Sequence, residues 1–122
     1  MPKKKERSLL LLRAKARGRR FFFLSGTNII EHLDPIVLAY LIMTDGNFYK
    51  GRNWVIIYTN SYKKEDVQRL ALAIKDKFNI YTGVLQDRNN QWILTIGAKN
   101  LTLLRDTVSD YFHHSMKYRI GL

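Results

Sequence analysis

Asp45 is the residue with the clearest chemical use in this 122-residue sequence. It follows an apolar run, Ile36 to Met43, and precedes Gly46. If that run is a helix packed on a second copy about a two-fold axis, the two Asp45 carboxylates lie close together, and such a pair repels unless protonated or bridged by cations. Mg²⁺ suits that place, because it takes carboxylate oxygens, phosphates and water. An Asp before a Gly equally serves turn chemistry, and the residues alone leave both readings open.

Other chemistries are thinly represented. The absence of cysteine removes disulfide scaffolds, thiolate zinc sites and cysteine nucleophiles. His32, His113 and His114 lack a carboxylate at ligand spacing and read as surface or helix-end residues. Gly46 to Asn53 fails as a phosphate loop, since Arg52-Asn53 stands where Lys-Ser/Thr is required, and no Gly-x-Ser-x-Gly or Gly-x-Gly-x-x-Gly occurs.

Charge points to a polyanion. Lys and Arg number 21 against 10 Asp and Glu, a net +11, and nucleic acid is the first partner such a balance attracts. Residues 1 to 20 hold nine basic side chains and one acid, so a basic arm is expected over residues 1–27 and one globular domain over residues 28–122. Phe21-Phe22-Phe23-Leu24 is expected to anchor the arm on the body. The longest apolar run, eight residues, is far short of the roughly 20 of a membrane-spanning helix, so a soluble protein without a membrane partner is expected.

The elements that must position Asp45 follow from patterning. Asp34-Pro35 at the start and Gly46 at the end specify a helix over 35 to 45, with Gly46 expected in a left-handed C′ conformation. Asn47 to Lys50 and Trp54 to Thr59 read as a hairpin around Gly51-Arg52-Asn53. Lys63 to Phe78 carries a buried stripe of Val67, Leu70, Ala71, Ile74 and Phe78, with Glu65 and Arg69 paired outside. A second hairpin joins Tyr81 to Asp87 with Gln91 to Gly97, and Asn100 caps a helix over 101 to 112 whose stripe is Leu101, Leu104, Val108 and Phe112. The first helix is apolar on every side, which favours a helix–helix interface through Leu38, Ala39, Leu41 and Ile42 over burial inside one small domain.

Leu38-Ala39-Tyr40-Leu41-Ile42-Met43-Thr44-Asp45-Gly46 resembles the motif that names the LAGLIDADG homing endonucleases, in its second-motif form with Leu33-Asp34-Pro35 upstream. The likeness continues through Tyr58-Thr59-Asn60-Ser61-Tyr62, Lys77-Phe78-Asn79-Ile80, Tyr111-Phe112 and Met116-Lys117-Tyr118-Arg119-Ile120. It implies an α+β fold of order α-β-β-α-β-β-α, with a four-stranded antiparallel saddle in the DNA major groove and motif helices packed at a two-fold axis. It further implies an intron-encoded, site-specific double-stranded DNA endonuclease that hydrolyses phosphodiesters with Mg²⁺ or another divalent metal.

By the same resemblance Asp45 and Gly46 bind metal, Asn60 stands where a Gln often orders water, and Arg119 stands where relatives carry an active-site Lys. Lys117 completes the expected catalytic set. Thr44 replaces an acid frequent in the second-motif branch, although the naming motif has Ala there. Arg119 is a poor candidate for a base, since a guanidinium holds its proton, but it can hold a phosphate. One motif is present, so cutting both strands requires a homodimer or a second half. The alternative functions are an RNA-binding intron maturase and an inactive remnant of the same fold, and an organelle, mitochondrion or chloroplast, is the implied location.

Strand alternation puts Tyr81, Leu85, Trp92, Leu94 and Ile96 on core faces, leaving Thr82, Gln86, Arg88, Gln91 and Thr95 for DNA. Tyr49, Arg52 and Asn53 are the polar candidates of the first hairpin. Arg reads guanine and Gln adenine in the major groove.

Overall fold

The Asp34-Pro35 start signal works as written in the computed structural model, which describes residues 30–60 and 62–122. Asp34 Oδ1 accepts from the Val37 N–H at 2.8 Å and Pro35 opens helix α1 (Pro35–Asp45). The arm expected over residues 1–27, with its Phe21 to Leu24 anchor, lies outside the described residues. Strands β1 (Gly46–Tyr49) and β2 (Trp54–Tyr58) follow directly, then helix α2 (Lys64–Phe78), strands β3 (Gly83–Gln86) and β4 (Trp92–Ile96), and helix α3 (Leu101–Val108). The chain ends in two 3-10 segments, Ser109–Tyr111 and His114–Ile120. The order is the expected α-β-β-α-β-β-α.

The four strands form one antiparallel sheet in the order β1-β2-β4-β3. Paired residues share a face, so Val55 with Ile96 and Ile57 with Leu94 turn one face toward the helices, where all four are 0% exposed. Val67, Leu70 and Ile74 of α2, and Leu104 and Val108 of α3, meet them in one core at 0% exposure. The helical spacing of these apolar residues thus closes a two-layer α+β fold.

Several local expectations are corrected. Gly46 is extended (φ −96°, ψ 161°) and begins β1 instead of taking a left-handed cap. Glycine is required there for space: a Cβ would lie 2.6 Å from Ile42 O. In the first hairpin turn, positive φ falls on Asn53. Arg69 pairs with Asp66 at 2.7 Å and not with Glu65. Asn100 makes no side-chain cap and ends a 3-10 turn (Ala98–Asn100), while α3 gives way to 3-10 geometry after Val108. After α2, left-handed Asn79 turns the chain so that Ile80 enters the core and Tyr81 is left 66% exposed.

Helix α1 is the centre of the molecule. Ile36 to Met43 are each 5% exposed or less within the single chain. Leu38, Ala39, Leu41 and Ile42 are at 1% or below.

Candidate active site and nucleic-acid face

Where α1 runs into β1 without a loop, the Asp45 carboxylate emerges exposed at the end of the sheet. It lines an open cleft of about 410 Å³ with Thr44, Gly46, Asn47, Tyr58, Tyr118 and Arg119. Arg119 arrives from the C-terminal 3-10 segment, and its Nη1 donates to the Gly46 carbonyl oxygen at 2.5 Å. Its Nε is buried without a partner among the described residues, and its guanidinium carbon lies 5.4 Å from the centre of the Tyr118 ring.

The helix end behind Asp45 is turned inward. Thr44 Oγ1 lies 3.0 Å from Tyr40 O and 3.2 Å from Leu41 O, and reaches Asp45 Oδ2 only at 3.5 Å. Tyr40 is fully buried with an unpartnered hydroxyl among the described residues, and burial, aided by the Asp45 charge, pushes its phenol up to about 12. Tyr62 is shifted in the same direction, first by burial, then by Asp45, Asp66 and Tyr40. Both phenols therefore stay neutral behind the carboxylate at neutral pH.

The predicted catalytic set is partly assembled. Asp45, Gly46 and Arg119 share the cleft, while Asn60, in the exposed turn after β2, and Lys117 do not line it. The carbonyl of Gly46 already accepts from a cation, and Asp45 is the one carboxylate at the cleft among the described residues. No group of three or more His, Cys, Asp or Glu that could hold a metal occurs among the described residues. One carboxylate offers at most two of the roughly six oxygens that a divalent ion such as Mg²⁺ takes, so the described residues would hold such an ion only in part. Asn47, Tyr58 and Tyr118 were missed by sequence reasoning. Asn47 and Tyr58 were within reach, because they sit one step beyond the Gly46–Ile57 pair on the two joined strands.

The second face of the sheet, away from the helices, carries Tyr49, Trp54, Ile56, Tyr58, Ile93 and Thr95. Thr95 is there as expected, opposite Gly83, whose missing side chain leaves room for the Thr95 hydroxyl. Arg52, Asn53, Arg88 and Gln91 are exposed in the two hairpin turns, with the Arg52 guanidinium carbon 5.2 Å from the Trp54 ring centre. Two assignments are reversed. Thr82 precedes β3, is buried, and donates to Ile80 O at 3.2 Å. Gln86 pairs with Trp92, on the helix side, and donates to Asn89 O at 2.6 Å, while Leu85 turns outward at 45% exposure.

This arrangement of a motif helix delivering an acid to the end of a four-stranded antiparallel sheet is that of the LAGLIDADG DNA endonuclease family, and the chain belongs to it: the family model matches residues 24–104. Individual relatives agree. The chain is 32% identical over 94 residues to the cytochrome b mRNA maturase bI2 of Saccharomyces cerevisiae, which covers 75% of this chain and 22% of the relative. It is 32% identical over 95 residues to the intron-encoded endonuclease ai4 of Dictyostelium discoideum, covering 77% of this chain and 58% of the relative. Among solved structures, the homing endonuclease I-WcaI bound to its DNA recognition sequence superimposes with a TM-score of 0.67 and 27% identity, over 72% of this chain and 41% of that one. The chain thus spans less than two thirds of the length of each of these proteins.

Proposed function

We propose that the chain is an intron-encoded, site-specific endonuclease that cuts double-stranded DNA with divalent metal, a second copy or a second motif-bearing half completing the site. The observation that carries this is the shared cleft of Asp45 and Arg119 at the end of the sheet. Asp45 would hold the metal from one side, with a second Asp45 or its equivalent on the other. A bound divalent ion would supply activation of the attacking water and charge stabilisation at the leaving oxygen. Arg119 remains a cation throughout, so its part is to hold the backbone at Gly46 and a phosphate oxygen, never to take a proton. Asn60 keeps the water-ordering role that the resemblance gives it and Lys117 its place in the expected catalytic set, although neither lines the cleft.

The second half is the point to test. The protein is incubated with Mg²⁺ and a plasmid carrying the intronless form of its host gene, beside Asp45→Asn. Linear product from the wild type alone supports the endonuclease and two working halves. Nicked product alone supports one working half, and intact plasmid under both proteins overturns the reading. An RNA-binding maturase is the second reading, favoured by the likeness to the yeast maturase, and is tested by binding of intron RNA that survives Asp45→Asn. Organelle encoding accompanies either reading.

A further inference from the structure

The outward sheet face has an unusual composition for a surface expected to meet DNA. None of the four strands, GNFY, WVIIY, GVLQ and WILTI, contains a Lys, Arg, Asp or Glu. Register puts Trp54, Ile56, Ile93, Thr95, Leu85 and Tyr49 on the side away from the helices. None of these six belongs to the helix-side core cluster; Tyr49 and Leu85 are 51% and 45% exposed, Trp54, Ile56 and Thr95 are half-buried, and Ile93 is 9% exposed. The charged side chains of the two hairpins are confined to their turns, Lys50 and Arg52 in one and Asp87 and Arg88 in the other.

In the major groove each base pair asks for a different partner. Guanine takes Arg or Lys, adenine takes Asn or Gln, cytosine takes an acid, and the thymine methyl takes an apolar side chain. The middle of this face offers no Arg, Lys, acid or Gln, because Gln86 points to the helix side and Asn47 is the one amide, at the cleft. We infer that β2 and β4 read thymine methyl groups, so that the preferred duplex is thymine-bearing under the strand centres, with guanine contacts confined to Arg52 and Arg88 at the turns. This inference rests on the DNA-binding reading above. The occupant is argued from charge as well as shape: Lys50 and Arg52 at one turn and Arg88 at the other flank an apolar face, which suits a ligand whose backbone is anionic and whose groove floor carries methyl groups.

Replacing thymine by deoxyuridine deletes the methyl and leaves base pairing intact, which isolates the contact. The full chain is used, in Ca²⁺ to withhold cutting, to select duplexes from a randomised thymine-containing pool, and the winners are remade with deoxyuridine. Affinity is expected to fall about fourfold for each methyl in contact, the equivalent of one buried apolar carbon. In Ile56→Ala and Thr95→Ser, which remove apolar carbons from β2 and β4, with folding checked by thermal melting, the preference for thymine over deoxyuridine should shrink at one or two positions. Selected duplexes that bind equally well with deoxyuridine overturn the inference and leave the DNA reading intact. A pool from which no sequence emerges overturns both.

Discussion

Arg119 and Gly46, 73 residues apart, are joined by a hydrogen bond from Nη1 to the carbonyl oxygen, so the C-terminal segment is tied to the residue that follows Asp45. The first prediction concerns this tie. Arg119→Ala should lower single-turnover cleavage by about 10²-fold, the usual loss for a donor aimed at developing charge. Arg119→Lys keeps the charge but not the planar fork, and should fall between the two. Binding to the uncut site in Ca²⁺ should change by no more than about tenfold. Cleavage by Arg119→Ala at the wild-type rate would show that the tie serves folding alone.

Gly46 has an ordinary backbone, and its importance is spatial. A Cβ there would stand 2.6 Å from Ile42 O, 2.7 Å from Ile42 Cγ2 and 2.9 Å from Ile42 Cα, all on a helix with no room to retreat. Gly46→Ala is therefore expected to destabilise the fold by about 1–3 kcal/mol and to shift Asp45, lowering cleavage with it. Gly51→Ala is the contrast. Its Cβ would meet Tyr49 Cε1 at 2.9 Å, on an exposed ring that can swing aside, and should cost under about 1 kcal/mol. Urea titrations of the two variants decide the matter.

These two glycines also show where the sequence was and was not readable. A Gly after an apolar helix signals either positive φ or close approach, and the pattern alone cannot separate them; the distances to Ile42 do. Helix α1 was legible because Asp34, Pro35 and eight apolar residues all specify the same thing. The second hairpin was less so. Moving the strand start from Tyr81 to Gly83 is a shift of even length and would preserve every face, but β3 ends at Gln86, and its pairing with Trp92 puts Gln86 with the helices and Leu85 outside. A four-residue strand flanked by Asn79 and Asn89 at positive φ is placed by those turns more than by its own alternation. At the site, the motif identified Asp45, but Tyr118 and the Arg119–Gly46 bond depend on a 3-10 segment that no periodicity announces.

The buried phenols give a prediction about alkaline pH. Tyr40 is held protonated up to about 12 and Tyr62 is shifted the same way, whereas an unfolded tyrosine ionises near ~10. Above that value the unfolded chain releases protons that the folded chain keeps, so stability is intact below about pH 10 and falls as pH rises from there through the folded values. A loss on the order of 2 kcal/mol is expected by pH 12 from Tyr40 alone. Guanidinium titrations at several pH values should show it, and Tyr40→Phe should flatten the slope. A wild-type slope unchanged in that variant would mean that Tyr40 ionises freely.

Arg105 is the last element of the C-terminal arrangement and gives the sharpest test of it. Its Nε donates to Ile120 O at 2.8 Å and its Nη2 to Gly121 O at 3.1 Å, while the guanidinium carbon lies 5.9 Å from the Phe48 ring centre. Gly121 has φ +77°, and a Cβ there would lie 2.5 Å from Arg105 Nη2 and 2.7 Å from Phe48 Cζ. Arg105→Ala removes charged donors from two carbonyls and should cost about 1.5–3 kcal/mol. Gly121→Ala combines a disfavoured φ with a collision and should cost a similar amount. Both substitutions break the same contact, so the double variant should be less destabilised than the sum of the two by at least ~0.5 kcal/mol. Additive costs would mean that Arg105 and Gly121 act separately. Arg105→Ala should also lower cleavage less in an Arg119→Ala background than in the wild type, because once Arg119 is gone its placement no longer matters.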